Sequence, residues 1–142
     1  MKSLGLIVFT LFFIVTSCHK SKAQLKRIDG NWRVELARIS VGEGFTFYDS
    51  LPNGEISISS SLGKINGRLD FVYSEFGMGQ VQDSFVTQNA TFVLNEKGDR
   101  MFVFRENDTI DMRILLSSKK NLELEYYDYQ QYRLRRFALR KI

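Results

Sequence analysis

The sequence predicts an all-β fold, an antiparallel up-and-down barrel of about eight strands, and three observations carry that reading. Apolar residues beyond Gly30 recur with period two, turn residues punctuate them at regular spacing, and no run carries a helical stripe long enough to compete. A meander of many short strands protects its edges best by closing on itself.

The elements follow in order. Trp32, Val34 and Leu36 alternate with Arg33, Glu35 and Ala37, predicting a first strand over about 31–40. Phe45 and Phe47 begin a short aromatic segment that stops at Leu51-Pro52-Asn53-Gly54, where Pro52 presets φ and Gly54 tolerates a positive one. Ile56 and Ile58 alternate with Ser57 and Ser59, so this strand has one wet side. Ile65, Gly67, Leu69, Phe71 and Tyr73 share one face, while Asn66, Arg68, Asp70 and Ser74 share the other. Residues 75–88 have weak periodicity and read as a long connection with a turn or small strand, Gly77-Met78-Gly79 being a flexible loop. Ala90, Phe92 and Leu94 then lead into the turn Asn95–Asp99, and residues 100–105 run to a turn at Glu106-Asn107-Asp108. Ile110, Met112 and Ile114 form the next strand, and after Ser117–Asn121 come Leu122, Leu124 and Tyr126. Residues 132–141 close the chain, and Lys22–Lys26 add at most a helical turn before the first strand.

The first residues are of another kind. Lys2 is followed by 12 uncharged residues, Leu4–Val15, and then by Thr16-Ser17-Cys18. A bilayer-spanning helix needs roughly 20 apolar residues, so the stretch has the length of a leader's apolar region. Val15-Thr16-Ser17-Cys18 resembles a bacterial lipobox, in which a branched residue sits three before the cysteine and a small residue directly before it. The resemblance implies a cleaved lipoprotein signal peptide over 1–17, a diacylglyceryl group on Cys18, a lipidated polar tether over 18–26 and a barrel domain over 27–142. The competing readings are an ordinary secretory leader and a short uncleaved anchor. The rest of the chain has no second cysteine, so no internal disulfide is possible, and acylation would remove a thiol that is a liability in an oxidising compartment. His19 after Cys18 is unlike the acidic retention signal of inner-membrane lipoproteins, which favours the outer membrane in a diderm. The implied location is the bacterial cell envelope, lipid-anchored.

Beyond residue 17 there remain 125 residues, enough for one domain with its own core. Nineteen Lys/Arg face sixteen Asp/Glu there, a balance too weak to imply nucleic acid. The basic C-terminal stretch, with Arg133, Arg135, Arg136, Arg140 and Lys141, reads as the solvated face of a final strand, or else as a patch for anionic lipid or an acidic partner.

Gly30-Asn31-Trp32 at the start of the first strand resembles the Gly-x-Trp motif of lipocalins and lipocalin-like proteins, and the end pattern Arg140-Lys141-Ile142 resembles small lipocalin-like lipoproteins of envelope-bearing bacteria. The resemblance implies that Gly30 relaxes the chain where the barrel begins and that Trp32 packs across its closed end. It also implies an arginine partner for that ring from near the last strand; Arg135, Arg136 and Arg140 are the candidates, with Arg140 preferred.

Catalytic chemistry has little to stand on. The only histidine, His19, adjoins the proposed anchor, so neither a metal triad nor a serine hydrolase site is expected. Asp111, Glu123 and Glu125 lie opposite the apolar positions of their strands and read as solubilising residues, and no glycine-rich phosphate loop precedes a helix. The sequons at Asn89 and Asn107 are formal matches only. We therefore expect no enzyme, no cofactor and no metal. Tyr126, Tyr127, Tyr129 and Tyr132 surround the turn at Asp128, either as core and rim aromatics or as the lining of a barrel mouth that meets an apolar or sugar-like ligand.

Two functions fit. One is a membrane-anchored lipocalin-like lipoprotein that holds a small apolar ligand in the barrel. The other is a non-enzymatic structural or protein-interaction lipoprotein, with residues 75–88 and the basic last strand as contact surface and aromatics such as Phe45, Phe71, Phe92 and Phe104 filling the core.

Overall fold

Period-two patterning becomes nine strands, β1 (Gly30–Val41), β2 (Phe45–Tyr48), β3 (Asn53–Ser60), β4 (Asn66–Gly77), β5 (Gln80–Leu94), β6 (Arg100–Phe104), β7 (Thr109–Ser117), β8 (Asn121–Asp128) and β9 (Arg133–Lys141). The computed structural model describes residues 20–42, 44–49, 52–61, 64–77 and 80–142, with backbone alone at 75–77 and 80–85. The segment expected to be a leader, residues 1–17, and Cys18 lie outside the described residues.

All pairings are antiparallel, and each strand meets the next in sequence until β9 returns to β1. β1 pairs with β3 through Gly30–Arg33 and with β2 through Arg38–Val41, so β2 and β3 share one position beside it. Nine strands therefore build a closed eight-stranded barrel, the second stave being interrupted between Tyr48 and Asn53. Closure of β1 on β9 pairs the two ends of the meander with each other.

The interior is the alternate residue of each stave. Val34, Ile39, Ile56, Ile58, Leu69, Phe71, Phe92, Leu94, Met112, Leu122, Leu124 and Phe137 are all buried there. At mid-barrel, Phe137 meets Phe71 edge-on at 5.2 Å and Tyr73 at 4.8 Å, and Tyr126 stacks on it at 6.1 Å. Edge-to-face and offset rings pack without a void and contribute beyond their buried area.

Five features differ from the sequence expectation. A bulge between Val34 and Leu36 shifts the phase of β1, so Leu36 points outward, 44% exposed, and Ala37 and Ile39 point in. Gly54 is a strand residue opposite Tyr73, where a Cβ would lie 2.7 Å from the Val72 carbonyl, and is not a turn glycine. Residues 75–88 are no loop: β4 and β5 form a tall hairpin whose pairing runs from Asn66↔Val93 to Gly77↔Gln80, with 78–79 outside the described residues. Phe45 and Phe104, expected inside, are 67% and 46% exposed, because Met101 and Val103 hold the inward positions of β6 and β2 only fringes the barrel.

The fifth is the N-terminal segment. Residues 20–28 form a helix, α1, where a polar tether and a single turn were expected. Its buried residues Ser21, Leu25 and Ile28 recur at helical spacing, but only two are apolar, too narrow a stripe to recognise. α1 lies across the barrel base: Ser21 Oγ donates to the carbonyls of Asn95 (2.9 Å) and Glu96 (2.7 Å), and Ser117 Oγ donates to Gln24 Oε1 (2.9 Å). Gly98, at φ +74°, lets the β5–β6 turn come up against Gln24.

Candidate functional site

The two barrel ends differ in kind. The base is closed by α1 and Trp32. Gly30 takes φ +126°, a conformation costly for any side chain, and this turns the chain from α1 into β1. Trp32 is fully buried, and its Nε1 donates to the Ile28 carbonyl at 2.8 Å, satisfying both the indole and a helix-terminal acceptor. The cation on its ring is Lys141, whose Nζ lies 5.2 Å from the ring centroid and donates to the Asp29 carbonyl at 2.7 Å. Arg140, the expected partner, faces solvent and meets Glu35 at 3.5 Å. Register explains the exchange: Lys141 is opposite Trp32, whereas Arg140 is opposite the outward Arg33.

The mouth is built by the turns after β6 and β8 and by the interrupted second stave. Its wall is open on one side. Pairing of β7 with β8 stops at Met112 and Tyr126; above it Thr109–Asp111 follow β6, while Tyr127 and Asp128 follow β9. Pairing of β5 with β6 likewise stops at Thr91↔Phe104, although β5 continues upward to Gln80. A cleft of about 720 Å³ enters at the β7–β8 gap, with Ile110, Tyr126 and Arg135 among its lining residues. A neighbouring cleft runs beside Thr87, which is 97% buried and whose hydroxyl has no hydrogen-bond partner among the described residues.

Arg135 is the pivot of this end. It shares the inward face of β9 with Phe137 and Leu139 and is 2% exposed, not part of a solvated face as the sequence reading had it. Its Nη1 donates to Asp128 Oδ2 at 2.6 Å and its Nη2 to Gln131 Oε1 at 2.7 Å. Asp128 also shapes the turn, its Oδ1 accepting the backbone N–H groups of Gln130 (3.0 Å) and Gln131 (3.1 Å). Inside the rim, Tyr73 donates its hydroxyl to Asp49 Oδ2 at 2.6 Å, both residues being buried. At the next turn Arg105 donates to both carboxylate oxygens of Asp108, which raises the guanidinium above its already high ordinary value.

Burial alone would raise the Asp128 carboxyl, but the Gln131 amide, Arg135 and the Gln130 amide hold it below the ordinary carboxylate value. Folded protein then binds fewer protons than unfolded protein between the two values. The contribution is therefore complete above the ordinary value of 3.8 and is lost as pH falls through the depressed one. Asp128→Asn keeps an oxygen for the turn amides and removes the charge from Arg135. It should cost about 1.5–3 kcal/mol at neutral pH and flatten the acid limb of stability, read by urea titrations at neutral and acid pH. An unchanged acid limb would assign that limb to other carboxylates.

Three of the four tyrosines line the mouth cleft: Tyr126, a core residue at 4% exposed, and Tyr127 and Tyr129, edge-to-face at 4.8 Å. Tyr132 stands 70% exposed in the turn at φ +53°. Asp111, Glu123 and Glu125 are outer-wall partners of Arg100, Arg136 and Arg113. Sequence reasoning missed Arg135 and Asp49. The spacing Arg135-x-Phe137-x-Leu139 was the signal for the first; nothing local marks the second. Among the described residues no three His, Cys, Asp or Glu side chains converge as a metal site, and no helix is long and apolar enough to cross a membrane. No family model matches the chain, and no curated protein matches it.

Proposed function

We propose that this chain is a non-enzymatic, lipid-anchored lipoprotein of the bacterial cell envelope, held through Cys18, with a lipocalin-like barrel that meets an envelope partner at its mouth. The observation that carries this reading is the aromatic layer around Phe137, where Phe71, Tyr73 and Tyr126 occupy the space a carried apolar molecule would need. The mouth holds two clefts, one beside charged Arg135 and one beside the Thr87 hydroxyl, for which no partner is found among the described residues, a setting for a polar partner. Two of its carboxylates, Asp108 and Asp128, are engaged by Arg105 and Arg135. In a diderm the outer membrane is the favoured location, on the non-acidic His19 after Cys18.

Two measurements test this. Intact mass should show an acylated chain beginning at Cys18, with Cys18→Ala losing the acyl mass and leaving the membrane fraction. A photocrosslinker at Tyr129, exposed at the mouth, should capture a reproducible protein partner in cells, while one at Leu116, exposed on the outer wall beside the basal β7–β8 turn, should not. A small apolar molecule recovered with the purified protein, and no crosslink, would reverse the reading in favour of a carrier.

A further inference from the structure

Every lysine among the described residues lies at one end of the barrel. Lys20, Lys22 and Lys26 are on α1, Lys64 is in the β3–β4 connection, Lys97 is in the β5–β6 turn, Lys119 and Lys120 are in the β7–β8 turn, and Lys141 ends β9. All eight are exposed, and Arg27 joins them from α1. Against these nine cations the same helix and turns offer three carboxylates, Asp29, Glu96 and Asp99. Asp29 is taken up by the Ser60 amide and hydroxyl, and Asp99 by the Asn95 side chain.

The arginines behave differently. Seven of them pair with carboxylates along the walls and at the mouth, whereas no lysine enters an ion pair among the described residues. Lysine carries a hydrated point charge on a flexible stem, suited to a diffuse anionic surface, while the arginine fork suits single carboxylates. Sorting by residue type and by barrel end goes beyond what solubility requires.

We propose that this basal face seats the barrel on an anionic lipid surface. The inference rests on the anchored reading and adds to it which end faces the bilayer. Only one residue separates Cys18 from residue 20, where the described helix begins, and a two-residue step spans roughly 7 Å. An anchor at Cys18 therefore holds the base within about one Debye length of the headgroups, where a lysine still feels the surface potential. Lipid and basic face act as two signals on one membrane. The mouth, with Arg135 and the exposed Tyr129 and Tyr132, points away from the bilayer and is open to partners.

The test uses the acylated chain purified from membranes and reconstituted in vesicles of phosphatidylcholine alone or mixed with phosphatidylglycerol. Lysine acetylation is mapped by mass spectrometry at low and high salt. Lys22, Lys26, Lys97, Lys119 and Lys120 should be labelled at least about fivefold more slowly in the mixed vesicles, with protection lost at high salt. The double variant Lys119→Gln with Lys120→Gln alters only exposed turn positions, so its Tm should be unchanged while the remaining lysines regain reactivity. Equal labelling in both vesicle types would overturn the seating and leave the anchor standing. A chain without acyl mass that does not float with either vesicle would overturn both.

Discussion

Trp32→Ala is expected to destabilise the barrel by about 3–5 kcal/mol, the cost of removing a fully buried large aromatic. More than buried area is lost. The indole N–H donates to the Ile28 carbonyl at 2.8 Å, so its removal leaves a helix-terminal acceptor without its partner. Lys141 loses the ring beneath it, and α1 loses the surface against which Leu25 and Ile28 pack. Urea titration should show a lower midpoint, and amide exchange in residues 20–28 should quicken more than in β7 or β8. Trp32→Phe restores apolar volume but not the donor, so it should recover part of the loss and leave about 1–3 kcal/mol. A loss below about 1 kcal/mol for the alanine variant would mean that the base is held by strand closure alone and that α1 is an ornament to it.

Phe137→Ala should cost a comparable 3–5 kcal/mol, through a different route. Phe137 is fully buried and is the ring against which Phe71, Tyr73 and Tyr126 all pack. Its truncation leaves an apolar cavity in mid-barrel walled by those three rings. Such cavities stay dry and accept benzene-sized molecules. Adding benzene should therefore raise the Tm of the variant and leave the native chain unmoved. Should the native chain gain as much, its barrel holds room that the aromatic layer does not fill, and the carrier function becomes the better reading.

The legible parts of this fold were those where local pattern and burial coincide. Ile65 to Tyr73, Ile110 to Ile114 and Leu122 to Tyr126 read as strands because their neighbours alternate cleanly, and from Asn66 onward they are strands with the expected faces, Ile65 being a bend that leads into β4. The turn Asn95–Asp99 was legible for a similar reason: Asn95 Oδ1 accepts from the Asp99 and Arg100 amides, and Gly98 takes the positive φ. Residues 75–88 were not, because a hairpin rising past its shorter neighbours needs no apolar alternation, and their pairing is carried by backbone bonds. Arg135 was misread because a charged residue on a strand is most often on the wet side, and only Asp128 and Gln131, brought over by the β8–β9 turn, make the inward position tolerable.

Trp32 and Arg140 show the same boundary at closer range. That a lone tryptophan after Gly30 packs an end of the barrel was readable from the chain. Which cation covers it depends on the β1–β9 register, and one residue of register exchanges Arg140 for Lys141. The sorting of lysines is likewise invisible in one dimension, since they are scattered from residue 20 to residue 141 and converge only because α1, alternate turns and the last strand end on one side.

By itself, then, the sequence determined that the chain is all-β, where most strands and turns fall, and that catalytic chemistry has few residues to use. These are local properties, written in period two, turn residues and composition. Tertiary structure alone decided that β1 meets β9, that a bulge reverses the phase of β1, that aromatic rings meet at Phe137, and that the two ends of the barrel carry different chemistry. Each depends on pairings between residues distant in the chain, and a strand's own pattern contains no information about the partner that will fix its register.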